Sequence, residues 1–164
     1  MELVRKINEK IIKALSLILI LFGTVLTITV FVNVCSRYFF HTTIPWAEEL
    51  ARFIFIWVTF IGVVVANDKS EHMRLDFLVA ALPGKAHKTV EIIAYIISVA
   101  LLCLLIHGGT RYTLSQWDWK SSALGVRHGL VYSIAPICMS YMLLQFLAKA
   151  IVVVQSFGKK GDVE

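Results

Sequence analysis

Ionised side chains are scarce in this 164-residue sequence. Asp, Glu, Lys and Arg make up 16% of it, against 58% hydrophobic residues, where a soluble domain carries about 25% charged residues. The scarcity is also uneven, because most of the charge is excluded from four long runs. Other absences narrow the chemistry. There is no glycine-rich phosphate loop and no nucleophile beside a base, so the chain is not expected to be an enzyme. The three cysteines, Cys35, Cys103 and Cys138, have no metal-ligand spacing and read as buried packing residues. A net charge of +5 is not gathered into basic clusters with interleaved aromatics, which excludes nucleic acid as a partner.

What is present is apolar length. Ala14 to Ser36 runs 23 residues without a charge, Phe53 to Asn67 runs 15, Ile92 to Thr110 runs 19 and Gly129 to Ala148 runs 20. About 20 helical residues cross a hydrocarbon core of ~30 Å. The expectation is an all-α membrane protein, a single integral membrane domain over residues 1–164. Its four transmembrane helices fall at about 14–36, 46–67, 90–110 and 129–149. The first run is too long for a secretory h-region and lacks a small-x-small site, so it reads as an uncleaved anchor.

Lysine and arginine set the orientation. One side collects 11 of them, among them Lys6, Lys10, Lys13, Lys69, Arg74 and Lys149. The other has 5, namely Arg37, Arg52, Arg111, Lys120 and Arg127. Both termini are expected in the cytoplasm. Between spans two and three, "EHMRLDFLVAALP" places Met73, Phe77, Leu78 and Leu82 on one stripe beside His72, Arg74 and Asp76. That pattern predicts a short amphipathic helix on the cytoplasmic surface. Pro136 is expected to kink the fourth span. Trp117 and Trp119 flank Asp118 in the second outer loop as an interfacial aromatic pair.

No Asp, Glu, Lys or Arg lies near the centre of any run. Ion-coupled carriers place ionisable groups there, so this chain is not expected to carry an ion itself. Only His107 of the five histidines lies within a run, which fails the facing-histidine requirement of a bis-histidine haem. The ionised residues gather instead at the mouth of the second run, in "IPWAEELARFIFIW". Pro45 suits a first helical turn. Glu48 and Glu49 lie near the positive end of the helix dipole, and Arg52 is in reach of both. Arg37 leaves the first span on the same side. Arg37, Glu48, Glu49 and Arg52 are expected to form a structural charge cluster locking the first hairpin.

Helical projection divides this span into two faces. Trp46, Leu50, Phe53, Trp57 and Phe60 form a bulky stripe, read as an interface with lipid or a second subunit. Glu48, Arg52, Thr59, Gly62 and Ala66 gather opposite. Lipid offers polar groups no partner. Thr59, Gly62 and Ala66 are therefore the expected helix-packing face, turned into protein.

"RYFF", "WAEELARFIFIW", Gly62 and Ala66, "EHMRLDFL" and "LP" together resemble the small membrane subunit of tripartite ATP-independent periplasmic (TRAP) transporters, the DctQ type. The resemblance implies an accessory scaffold subunit in the bacterial inner membrane. Its implied partners are a large many-span transport subunit, a periplasmic substrate-binding protein and membrane lipid. It implies import of an organic acid of the C4-dicarboxylate or sialic acid type. No cofactor is implied in this chain, and the sodium ions that drive transport are implied in the large subunit. The competing reading is a self-contained homo-oligomeric exporter, which would transport alone in liposomes. A membrane redox subunit would be coloured.

Overall fold

The computed structural model describes residues 2–69 and 84–158. The amphipathic helix expected around His72, Arg74 and Asp76 lies outside the described residues. Five helices follow in chain order: α1 (Glu2–Phe40), α2 (Pro45–Lys69), α3 (Gly84–Ser115), α4 (His128–Tyr132) and α5 (Ile134–Gly158). Four stretches within them are long and apolar enough to cross a membrane, at Lys6–Phe40, Pro45–Asp68, Ile96–Ser115 and His128–Leu147. An apolar slab requires this class of structure, because a helix satisfies its backbone groups internally.

The helices outrun the apolar segments that mark them. α1 has 39 residues, about 58 Å at the helical rise, and carries its charged flank as far as Lys13. Charge does not stop a helix whose side chains project away from it. At the other end His41 takes a positive φ of 54°, which turns the chain out of α1 as a left-handed C-terminal residue does. Pro45 then opens α2.

The spans form an open row rather than a closed bundle. Among the described residues α1 packs on α2, α2 on α5, and α5 on α3, while the outer members of the row, α1 and α3, do not meet. The small core sits where the row is doubly covered. Ile12, Ile61, Val64, Val65 and Cys138 are buried there, with Leu15, Leu19, Trp57, Phe60, Ile134, Tyr141 and Met142 against them. The cysteine expectation therefore holds for Cys138 alone, since Cys35 is only half-buried and Cys103 is exposed on α3.

The fourth span is broken. α4 ends at Tyr132 and α5 begins at Ile134, four and two residues ahead of Pro136. Proline clashes with the carbonyl four residues back and donates nothing to it, so the irregularity appears one turn before the ring. The Trp57 indole N–H donates to the Val131 carbonyl at 3.2 Å, tying the break to α2. The Pro136 ring also lies against Gly109, where an added Cβ would be 3.7 Å from the ring. This lets α3 approach α5.

At the end bearing the N-terminus, the row is joined by side-chain amides. Asn8 donates to Asp68 at 2.8 Å and accepts from the Tyr141 hydroxyl at 2.6 Å and the buried Gln145 amide at 3.2 Å. Asn67 donates to Gln145 at 3.2 Å. Each hydrogen bond between membrane helices contributes about 0.6 kcal/mol, and up to about 1.7. Asn8→Leu removes three of them and leaves Gln145 short of a partner. It is expected to destabilise the purified protein by about 1–2 kcal/mol, read from its unfolding midpoint in a denaturing detergent. An unchanged midpoint would show that the network contributes nothing.

Candidate functional site

The residues singled out from the sequence sit at the opposite end, where two loops close the row. Residues 41–44 join α1 to α2, and residues 116–127 join α3 to α4. The first loop is held locally. The Asn33 side chain accepts from the Ile44 N–H at 3.3 Å, and the Ser36 hydroxyl donates to the Thr42 carbonyl at 3.0 Å. The second loop folds back on itself as a short antiparallel bridge between Lys120 and Arg127. Within it, Ser121 N–H donates to Val126 at 2.9 Å and Gly125 N–H to Ser121 at 3.1 Å. Gly125 turns the chain at a φ of +66°, a conformation costly for residues with a Cβ.

Glu49 connects this second loop to α2. One of its carboxylate oxygens accepts from the Ser121 hydroxyl and from the N–H groups of Ala123 and Leu124, the latter two at 3.1 Å each. Three donors converging on one oxygen form an anion-binding turn, with the anion supplied by the protein. The loop thereby gains an acceptor for the Ala123 amide and a second one for the Leu124 amide, which also donates to the Ser121 hydroxyl oxygen at 3.1 Å.

The other three charges behave differently, which corrects the expected four-residue cluster. Glu48 and Arg52 form a long pair at 4.0 Å, with side chains 56% and 65% exposed. Arg37 is exposed at the end of α1, and among the described residues it pairs with neither glutamate. The cause is direction. Adjacent residues on a helix point about 100° apart, so Glu49 aims across α2 to the α3–α4 loop while Glu48 aims out of the row. The hairpin of α1 and α2 is held by Asn33 and Ser36, and the charge that locks anything locks the two hairpins to each other.

The expected faces of α2 are also reversed within this chain. Phe53 is buried, and Trp57 and Phe60 pack against the chain's own core. Phe53 meets His128 edge-on at 5.6 Å between ring centres, and Trp57 meets Phe22 at 5.9 Å. Trp46 alone of that stripe stays open, at 50% exposure. Thr59 and Ala66 are exposed, and Gly62 is half-buried against Leu19. The physical reason is the open row. α5 arrives on the bulky side of α2, where large side chains fill the space between the two helices. Thr59 needs no partner helix, because its hydroxyl donates to the Phe55 carbonyl of its own helix.

Gly129 sets how closely α4 approaches this loop. Its Cα lies where an added Cβ would come within 2.8 Å of both the backbone and the ring of Trp117. The signal available was Gly125 and Gly129 at four-residue spacing, but it marks a loop-to-helix contact rather than a helix pair. Trp119 is largely exposed on the same loop, and its carbonyl accepts from the His128 N–H at 2.9 Å.

The fold and this latched end describe a multi-pass helical membrane protein. Comparison with known proteins names its class. Residues 26–156 match the family described as tripartite ATP-independent periplasmic transporters, DctQ component. The chain belongs to that family, whose members are membrane components of transporters. It is 30% identical over 152 residues to a Haemophilus influenzae protein described as a TRAP transporter small permease, covering 91% of this chain and 94% of the relative. It is also 30% identical over 116 residues to the sialic acid TRAP transporter permease protein SiaT of H. influenzae. That match covers 70% of this chain but only 19% of SiaT. A third relative is the C4-dicarboxylate TRAP transporter small permease protein DctQ of Vibrio cholerae, 30% identical over 87 residues, 53% of this chain and 38% of the relative.

Two substitutions separate the two glutamates. Glu49→Gln is expected to loosen the second loop, speeding amide exchange at Ala123 and Leu124 about tenfold, equivalent to ~1.4 kcal/mol. Glu48→Gln, exposed and weakly paired, should leave that exchange within about a factor of two. Equal effects would refute the latch. Gly129→Ala forces Cβ against the Trp117 backbone and should lower stability by about 1–3 kcal/mol, measured as the shift in denaturation midpoint.

Proposed function

We propose that this chain is the accessory scaffold subunit of a TRAP transporter that imports an organic acid. It would pair with a large transport subunit, while a periplasmic protein delivers the substrate to the complex. The observation that carries the reading is the combination of family membership with span centres that hold no ionised residue. A subunit built this way adds area to a membrane complex and leaves ion coupling to its partner. Sodium ions, on this reading, bind in the large subunit.

The row of helices supports the same reading. An open row exposes broad apolar faces on both sides, including Leu17, Ile20 and Phe31 of α1 and Ile96, Leu101 and Leu104 of α3. Such faces suit a partner helix or lipid better than a self-sufficient transport pathway. SiaT and the isethionate permease protein DctMQ of Oleidesulfovibrio alaskensis match this chain over only 19% and 16% of their lengths. Those long permeases are consistent with a small-subunit segment working beside a larger one. On this reading the chain lies in the bacterial inner membrane, and the lysine and arginine distribution favours both termini in the cytoplasm and the latched end in the periplasm. There the second loop would face the binding protein. Arg74 and the neighbouring His72 and Asp76 would order the cytoplasmic surface. Sialic acid and C4-dicarboxylates are the substrate classes that the relatives' names suggest.

Co-expression with the large permease tests the assignment. The two chains are expected to co-purify, and deletion of this chain should abolish uptake of the acid. Independent purification of both, together with uptake that survives the deletion, would overturn the scaffold role. Transport by the isolated chain in liposomes would favour an exporter instead.

A further inference from the structure

The two faces of α1 are separated from Lys6 to Leu26. Asn8, Ile12, Leu15, Leu19, Phe22 and Leu26 are buried or half-buried on one face. Lys6, Lys10, Lys13, Leu17, Ile28 and Phe31 are exposed on the other. The lysines recur at four and three residues, so they stand one above another. Asn8 lies about half a turn from Lys6 and Lys10. Because Asn8 is held by Asp68, Tyr141 and Gln145, the rotation of α1 is set there, and the ammonium groups are aimed away from the protein.

We infer that this stripe is a binding site for an anionic phospholipid of the leaflet at the terminal end of the molecule. Charge complementarity chooses the occupant. Lys6, Lys10 and Lys13 make no ion pair among the described residues, and with Ile7 and Glu9 they line an open groove of about 290 Å³. That is a phosphate-attracting surface. Directly beyond Lys13 the same face becomes aliphatic, with Leu17 at 67% and Ile20 at 68% exposure. A lipid meets this sequence of surfaces with its headgroup first and its acyl chains after. Free phosphate would use only the lysines.

Electrostatic attraction to an anionic leaflet falls by about fivefold for each basic residue removed, and it weakens with salt. The test is native mass spectrometry of the full-length purified chain, titrated with phosphatidylglycerol, phosphatidylcholine or inorganic phosphate. The wild type is expected to bind phosphatidylglycerol at least tenfold more tightly than phosphatidylcholine. The triple variant Lys6→Gln/Lys10→Gln/Lys13→Gln should lose that preference. The triple arginine variant should keep it, as should Lys120→Gln at the opposite end. Single glutamine variants, each about fivefold weaker, give the same reading if the triple variant does not fold. Equal binding of the two lipids by wild type would overturn the site, and is the result expected of a face made for a protein partner. A preference surviving in the triple variant, or undiminished in the single variants, would also overturn it. So would displacement of phosphatidylglycerol by equimolar inorganic phosphate, which would mark a simple anion site.

Discussion

The row of four spans is joined at its middle, where α2 meets the fourth span, and the Glu49 carboxylate closes that joint at one end. One oxygen gathers a hydroxyl and two amides from a single loop. The loop is bound to be tight, because Gly125 turns it at positive φ and Gly129 brings α4 directly onto Trp117. Tight turns expose amides, and amides attract an anion. The carboxylate on α2 is thus both the loop's ligand and the link between the two halves of the chain.

The other end of the joint uses no ionised pair. Asn8, Asn67, Asp68, Tyr141 and Gln145 hold three helices through short hydrogen bonds. The three amides and the hydroxyl need a partner in the membrane without adding charge, and the one carboxylate, Asp68, accepts from the Asn8 amide. Between the two ends lies the small aliphatic core with Trp57 reaching the broken fourth span. The arrangement gives a stiff central pair of helices flanked by α1 and α3, whose outer faces remain open. The proposed scaffold role needs that combination. Its own fold must be rigid, yet most of its apolar area must stay available to neighbours.

Those neighbours differ from face to face. The stripe on α1 that begins with three lysines and continues as leucine and isoleucine matches the layered chemistry of a lipid leaflet. On α2 the open side carries the Glu48–Arg52 pair, Phe55, Thr59 and Ala66. This is a narrower surface with smaller residues. The protein therefore presents chemically distinct strips to its surroundings, each set by the rotation of a helix that the central joint fixes.

The sequence by itself determined the class of structure, the number of spans and the family. Uncharged length is a property of the chain that no packing can change, and "WAEELARFIFIW" with its neighbours is specific enough to recognise. It also located the start of α2 at Pro45 and the disturbance near Pro136, because proline acts on its own backbone. Only the tertiary structure decided which face of α2 is interior. Periodicity shows that Phe53 and Thr59 lie on different sides, but the direction from which α5 approaches makes Phe53 the buried one. The fates of Glu48 and Glu49 diverge for the same reason. Two adjacent identical side chains point apart, and the residues they meet are brought in from elsewhere in the chain.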